Sequence, residues 1–493
     1  MGNTHETCGF SEISSLADCT KLLETIGLHI EPIVYLNSLY VNPKDGQNRL
    51  IMAASKSTRE LKHEDPMKVL SALLTRDSKP PVGFFQKSAD LGDGFKPRQT
   101  YVGFDPIGNH TYKGDQNPFE GLKGLRDLTM GYICYDGVRF QEPILNKSAG
   151  AFSKLKSDFT TAEFSVFKNF LIFDHQAGKL HIRGEIAECE AVLTQAQALP
   201  ARPRISSSSV ELSPEDFRRS LGSDAFKAGV RKLQEHIQAG DIFQAVISER
   251  FEIDLTVSPL EIFQTLIEIG SSAYQFFYST PERIVLGASP ELLLSVKEGK
   301  LETHPIAGTR PRGKTEAEDL KLQDELMKDT KENAEHLMLV DLARNDLGRI
   351  SKPGKVHATE RNLIKRFPSV MHIVSKVEGE LKSEYAPVDA LSSCFPAGTL
   401  SGAPKIRAMQ LISEIEGAPR GFYGGTFFLS QPDGELEACI SIRSMEIIGN
   451  KGYIQAGAGI VMDSNPDSEY AEVLHKSKTL RRALALAMKK EGK

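Results

Sequence analysis

The stretch LLLSVKEGKLETHPIAG, residues 292–308, constrains the fold of this chain more than any other. It reads as a hairpin: two extended runs that must lie antiparallel, joined by a turn at Glu298–Gly299. The strands of the C-terminal part come in hairpins of this kind rather than in regular strand–helix–strand units. An α+β fold with large antiparallel sheets is therefore predicted.

Helical patterns lie between the hairpins. SDAFKAGVRKLQEHIQAGDIFQAVISERFEI (223–253) has helical periodicity up to Ala239, a break at Gly240–Asp241, and then a strand of alternating character. Nearer the start, HIEPIVYLNSLYV (29–41) and FKNFLIFDH (167–175) read as strands among turns rich in Gly, Asp and Asn. The run ALPARPRISSSSVELSPEDF (198–217) is rich in Pro and Ser and reads as a linker or long loop. The chain then divides into an N-terminal region (1–200), a linker (201–222) and a C-terminal region (223–493) in which chemically suggestive motifs are dense.

At 493 residues the chain can form two domains or one large composite core. A net charge of −5 argues for neither a nucleic-acid partner nor a membrane surface. No apolar run reaches spanning length, and the first residues lack the basic and apolar segments of a signal peptide. Cys8, Cys19, Cys134, Cys189, Cys394 and Cys439 form no CxxC pair, and their spacing resembles no disulfide framework or metal knuckle. A reduced, cytoplasmic protein is expected.

Two acidic pairs stand out. In KENAEHLMLVDLARNDLGRI (331–350), Glu332 and Glu335 are three apart and share one helix face, with Leu339 and Leu342 in the buried stripe. In SNPDSEYAEVLHKSKTLRRAL (464–484), Glu469 and Glu472 repeat the spacing behind an Asn465–Pro466 helix start. One such pair reads most simply as a solvated acidic face. Two pairs on two helices could build an Mg²⁺ site, because Mg²⁺ takes few carboxylates, keeps water and completes its octahedron with substrate oxygens.

Small-residue turns flank other polar groups. AGTLSGAPK (397–405) and FYGGT (422–426) place glycines beside Thr399 and Tyr423, and QAGAGIV (455–461) carries Gly457 and Gly459 in a strand-like run. Glycine lets backbone N–H groups approach a carboxylate or ring, although turn and bulge geometry alone would account for most of these positions. Neither segment fits a nucleotide-binding loop. His372 shares a strand face with Val370 and Val374, as a core histidine or an acid/base group. Arg443 lies in the β-rich run ACISIRSMEI and needs an anionic partner, either a structural carboxylate or a ligand.

Taken together, PIAGTRPRG (305–313), EHLMLVDLARNDLGRI (335–350), VMHIVSKVEGEL (370–381), GTLSGAPKIRAMQLISEIEG (398–417), RGFYGG (420–425), ISIRS (440–444) and QAGAGIVMDSNPDSE (455–469) closely resemble the chorismate-utilising enzymes, and within them the anthranilate synthase component I branch. The matching segments run through nearly all of the C-terminal half in the family's order; the N-terminal half matches weakly. The resemblance implies two large antiparallel sheets packed together, helices outside, and an active-site cleft between them. It implies Mg²⁺ ligation by Glu335 and Glu469, with Glu332 and Glu472 ligating through water or supporting them. Arg443, Tyr423, Gly457 and Gly459 would hold the enolpyruvyl carboxylate of chorismate, and Lys476 would add charge at the ring carboxylate. Thr399 would fix the leaving hydroxyl, His372 would be the acid/base group near it, and Gly308 and Thr309 would line the ring pocket beside Ala307.

Ala307 bears on the chemistry. A lysine there could serve as base or nucleophile, whereas alanine can do neither, so the attacking group must come from outside. That points to ammonia, delivered by a separate glutamine amidotransferase subunit because no cysteine here sits in a GxCxGxQ-like turn. The implied product is anthranilate, with pyruvate released. An enzyme stopping at aminodeoxyisochorismate would share Ala307. A catalytically silent aromatic-ligand binder should have lost part of the acidic set, which this chain keeps. The segment KLLET resembles the family's tryptophan effector motif LLES, through Leu23, Glu24 and Thr25. A second effector segment, NPSPYM in the family, reads GSSAYQ here and keeps only Tyr274 of its recognisable positions, so weakened or altered inhibition is expected.

Overall fold

The hairpin at Glu298–Gly299 is present. Lys297 pairs with Lys300 across the turn, and Glu298 and Gly299 have φ of 51° and 75°. Two consecutive left-handed residues are what a two-residue loop between right-twisted strands requires. The computed structural model describes residues 56–61, 64–76, 81–90, 95–125, 127–201, 210–270, 272–366 and 370–491.

The strands, in chain order, are β1 (Lys56–Glu60), β2 (Val82–Asp90), β3 (Phe95–Lys113), β4 (Thr129–Ile133), β5 (Thr160–Asp174), β6 (Lys179–Arg183), β7 (Arg218–Arg219), β8 (Gln244–Asp254), β9 (Tyr274–Ser279) and β10 (Arg283–Ser289). They continue with β11 (Leu292–Lys297), β12 (Lys300–Thr303), β13 (Ile306–Pro311), β14 (His357–Arg366), β15 (Val370–Glu380), β16 (Gly402–Ala403), β17 (Thr426–Ser430), β18 (Leu436–Ile440), β19 (Ser444–Ile448) and β20 (Lys451–Ile460). Every pairing among them is antiparallel, and β5 is the junction of two arms. One arm runs from β5 through β3, β2, β9, β10, β19 and β20 to β8. The other runs through β4, β17, β18, β11 and β12 to β15, which also pairs with β13 and β14.

The arms are the two expected sheets, packed face to face. Successive strand residues point to opposite faces, and the core divides accordingly. Phe85, Phe276, Tyr132 and Phe427 fill the space between the arms, while their chain neighbours Phe84 and Phe277 turn to one outer core and Ile133 and Phe428 to another. The rings of Phe276 and Phe427 stack across the interior with centroids 4.6 Å apart. The outer core of the first arm is completed by helices including Gly222–Gln238, Pro259–Ile269, Lys405–Glu416 and Pro466–Glu491. The outer core of the second is completed by Thr330–Gly348 and Pro387–Cys394.

Strands from both sides of the expected linker enter the same sheets: β2 pairs with β9, and β4 with β17. From residue 210 onward the linker itself holds a capped 3₁₀ turn, Pro214–Asp216, and the short strand β7 on β8. The helix Gly222–Gln238 ends at Ala239, and Gly240 (φ 81°) breaks the pattern as expected. Among the described residues no helix is long and apolar enough to cross a membrane.

Candidate active site

Two helix starts place the acidic pairs. Asp329 caps Thr330–Gly348 by accepting from the N–H groups of Lys331 and Glu332. Asn465 caps Pro466–Glu491 by accepting from Asp467 and Ser468 at 3.0 and 3.1 Å. Each pair thus sits in the opening turns of its helix. The pairs share one electrostatic neighbourhood: burial raises the Glu335 pKa, and the charges of Glu332 and Glu472 push it in the same direction. Burial likewise raises Glu469, with Glu472 adding to the effect. Glu332 is held by Arg310 at 3.0 Å and Glu472 by Lys476 at 2.6 Å, whereas Glu335 and Glu469 form no ion pair among the described residues. Among those residues, no group of three or more His, Cys, Asp or Glu side chains stands in a metal-holding arrangement.

The inert wall lies on β13. Ala307 is opposite Ile373 and Thr309 opposite His372, and the register slips between them, where Gly308 has φ 65°. This bulge brings the Gly308 carbonyl to 2.9 Å and the Thr309 hydroxyl to 3.1 Å from His372 Nδ1. A carbonyl oxygen only accepts, so in the neutral ring the proton belongs on Nδ1 and Nε2 is the acceptor nitrogen. Burial lowers the His372 pKa; the charges of Arg443 and Lys476 add to this against the opposing bond to Gly308. These effects favour the neutral imidazole, which can accept a proton.

The cations converge from the bend just ahead of β19 and from the last helix. Arg443 Nη1 donates to the Lys476 carbonyl at 2.5 Å, and Lys476 Nζ donates to the Gly457 carbonyl at 3.0 Å. Arg443 is a non-glycine residue at φ 50°, a conformation that costs about 1–2 kcal/mol and is retained where the surrounding structure over-determines the backbone. Burial lowers its pKa, and it forms no ion pair among the described residues. No carboxylate of the described residues pairs with it, so this guanidinium retains donors that an anion could take.

The β20 glycines make room for the same groups. A Cβ on Gly457 would lie 2.7 Å from the Tyr423 hydroxyl, and one on Gly459 would lie 2.7 Å from Gln244 Nε2 and 3.9 Å from Glu335 Oε1. Close approach, not turn geometry, is thus what these two positions require. Residues 85–482 match the family described as chorismate binding enzyme. The chain belongs to that family. It is similar to anthranilate synthase component 1 of Methanothermobacter marburgensis, at 37% identity over 87% of this chain and 94% of the relative. It is similar to anthranilate synthase component 1 of Saccharolobus solfataricus, at 41% identity over 80% of this chain and 92% of the relative. A solved structure, anthranilate synthase component I from Streptococcus pneumoniae, superposes with a TM-score of 0.68 at 32% identity, covering 78% of this chain and 92% of that one.

This chorismate-binding enzyme gathers nearly all of the expected site residues. Glu332, Glu335, Glu469, Glu472, Lys476, Arg443, Tyr423, Gly457, Gly459, Gly308, Thr309 and His372 are linked by the contacts and field effects above. Thr399 joins them through a residue that sequence reasoning missed. Its hydroxyl donates to Glu291 Oε1 at 2.8 Å. Glu291 is partly buried; desolvation pushes its pKa up to about 7, against the opposing effects of the Thr399 hydroxyl and the Lys476 charge. The available signal was a lone Glu followed by three leucines, a costly placement for an ordinary carboxylate. Beside it lies a cavity of about 40 Å³, lined also by Thr399, Pro305, Leu339 and Leu342, large enough for a water or a molecule of similar size.

Gln244 was missed as well. Its Nε2 donates to Glu335 Oε1 at 2.7 Å, while its buried Oε1 has no partner among the described residues. An orphaned buried acceptor is costly unless something donates to it. Tyr274 has a different setting. It lies in the core between the arms, its ring stacked on Phe85 and its hydroxyl donating to Glu437 Oε1 at 3.0 Å. Leu23, Glu24 and Thr25, and the run 29–41, lie outside the described residues.

Proposed function

We propose that this chain is the large subunit of an anthranilate synthase, converting chorismate and ammonia to anthranilate and pyruvate. The observation that carries the reading is Ala307: at the site wall beside Gly308, where a base or nucleophile could stand, the side chain is a methyl group. The named relatives support it, since the similarity extends over most of both chains.

In this reading Arg443, Tyr423 and the Gly457–Gly459 backbone bind the enolpyruvyl carboxylate, and Lys476 sits at the ring carboxylate. The four glutamates fit a hard divalent cation in donor chemistry: two helices each bring one carboxylate without an ion pair and one held by a single cation, and burial has raised the first kind. Glu335 and Glu469 would hold Mg²⁺, with Glu332 and Glu472 in support; bound there, the ion would supply charge neutralisation at the ring carboxylate. Glu291, protonated near neutral pH, is the acid for the departing ring hydroxyl, and Thr399 fixes its carboxyl. As the ammonia nitrogen bonds to ring carbon 2, the double bonds shift, the carbon 4–oxygen bond breaks and water leaves with the Glu291 proton. Gln244 Oε1 is an acceptor suited to orienting the incoming amine. Neutral His372 then serves as base near the ring, and loss of the ring proton with pyruvate gives the aromatic product.

Ammonia is delivered by a separate glutamine amidotransferase. Cys134, Cys189, Cys394 and Cys439 are buried. Burial pushes the Cys189 thiol up to about 12 and raises the other three as well, which disfavours a glutaminase thiolate at any of these positions. The deciding experiment supplies purified chain with chorismate, Mg²⁺ and ammonium salt and follows anthranilate fluorescence. Chorismate consumed to a non-fluorescent amine would identify an aminodeoxyisochorismate synthase instead; no consumption would leave a silent binder.

A further inference from the structure

The residues named so far touch the reacting groups or bind them; Arg420, just ahead of the Tyr423 loop, does neither and is nonetheless tied to three parts of the pocket. Its side chain is 2% exposed and forms a bidentate pair with Glu416, Nε to Oε2 at 2.8 Å and Nη2 to Oε1 at 2.6 Å. Nη1 donates to the Leu400 carbonyl at 2.6 Å, next to Thr399. Nη2 donates to the Val246 carbonyl at 2.6 Å, on β8 directly opposite Gly459. Its guanidinium lies 5.6 Å from the centre of the Tyr423 ring and 4.5 Å from that of the Tyr135 ring. Glu416 Oε1 also accepts from the N–H and hydroxyl of Ser248, opposite Gly457.

We propose that Arg420, locked by Glu416, is the positioning residue of the carboxylate pocket. It sets the distances between the Thr399 turn, the glycine strand and the Tyr423 ring. Only a planar guanidinium presents donors in the directions of Glu416, Leu400 and Val246 at once; a lysine would keep the charge and lose the fork. The Gly421 loop is anchored from the other side, its N–H donating to Asp136 at 2.7 Å and its carbonyl accepting from Tyr135 at 2.9 Å, so motion left by a broken fork would fall on Tyr423.

The inference rests on the anthranilate synthase reading, and calorimetric binding of chorismate tests it without turnover. Arg420→Lys is expected to weaken chorismate binding roughly tenfold or more, with kcat falling by less than KM rises. In a double-mutant cycle with Tyr423→Phe, the two losses are expected to be non-additive, because Arg420 acts through that ring. Unchanged affinity in a folded Arg420→Lys variant, or fully additive losses, would overturn the proposal. If that variant does not fold, Glu416→Gln carries the same test, and undiminished chorismate affinity there overturns it equally. Wild-type chain that binds chorismate but forms no anthranilate would refute the function and leave this inference standing.

Discussion

Thr399 reaches across 108 positions of sequence to donate its hydroxyl hydrogen to the partly buried carboxyl of Glu291. The bond joins the turn that follows the helix Pro387–Cys394 to the head of β11. It keeps a carboxyl oriented in a place where its charge is unwelcome.

The first prediction concerns pH. Burial raises Glu291 to about 7 in the folded chain, against about 4.3 for an unperturbed glutamate. An acid that must be protonated makes kcat fall as pH rises through about 7. Stability follows the same group. Between about 4.3 and the folded value the native state binds a proton that the unfolded state has lost, so stability falls with rising pH across that window. Above it the penalty is complete. Glu291→Gln is therefore expected to lower kcat by about 10²–10⁴-fold while melting higher than the wild type at alkaline pH. Measured pH–rate profiles and melting curves check both; a Gln variant with wild-type turnover would remove Glu291 from the chemistry.

A second prediction concerns the metal. Glu469 is partly buried near the like charge of Glu472 and forms no ion pair among the described residues. A ligand that binds only the folded chain stabilises it in proportion to the logarithm of its concentration over Kd. Added Mg²⁺ should raise the melting temperature of the wild type and leave that of Glu469→Gln unmoved. Without metal the variant should be at least as stable as the wild type, because a carboxylate whose charge burial disfavours is gone. Mg²⁺-dependent turnover should vanish. A variant that still shows the full Mg²⁺ shift would displace this residue from the ligand set.

A third concerns the core between the arms. Phe427 stacks on Phe276 and lies within 5.8 Å of the Phe85 ring centre, so it touches two strands of the facing arm. Phe427→Ala should cost about 3–5 kcal/mol, the sum of lost transfer energy and a cavity that rigid strands cannot close. Urea unfolding measures it through the shift in midpoint. A cost below about 1 kcal/mol would mean that the arms repack freely.

What was legible in the sequence was local. The Glu298–Gly299 turn, the Asn465–Pro466 helix start and the i,i+3 spacing of each acidic pair depend on neighbours within a few positions, and each stands where the pattern put it. Contacts between distant segments left no such trace. Gln244 meets Glu335 across 91 positions, and nothing around Gln244 in the β8 run marks it as polar for a reason. Glu291 could be suspected from its apolar setting, but its pairing with Thr399 is set by β11 and the Gly398–Leu400 turn meeting in space. The two arms divide at β5 because one long strand offers different partners along its length, a tertiary choice with no periodic signature.

The last prediction tests the inert wall. Ala307 sits on β13 beside the Gly308 bulge, with Glu332 Oε2 3.3 Å from where a Gly308 Cβ would lie. A lysine at 307 would bring an amine toward that carboxylate and the bound ring. Lysine amines in sheltered sites are competent nucleophiles, so Ala307→Lys should divert attack from free ammonia to the protein. Ammonia-dependent anthranilate formation should fall by about tenfold or more, a barrier change of about 1.4 kcal/mol at the least. Intact-mass measurement after incubation with chorismate should show an adduct in the variant and none in the wild type. If the variant instead uses ammonia as well as the parent and stays unmodified, this wall does not face the attacked carbon. The source of the nucleophile would then have to be sought from the Gln244 side.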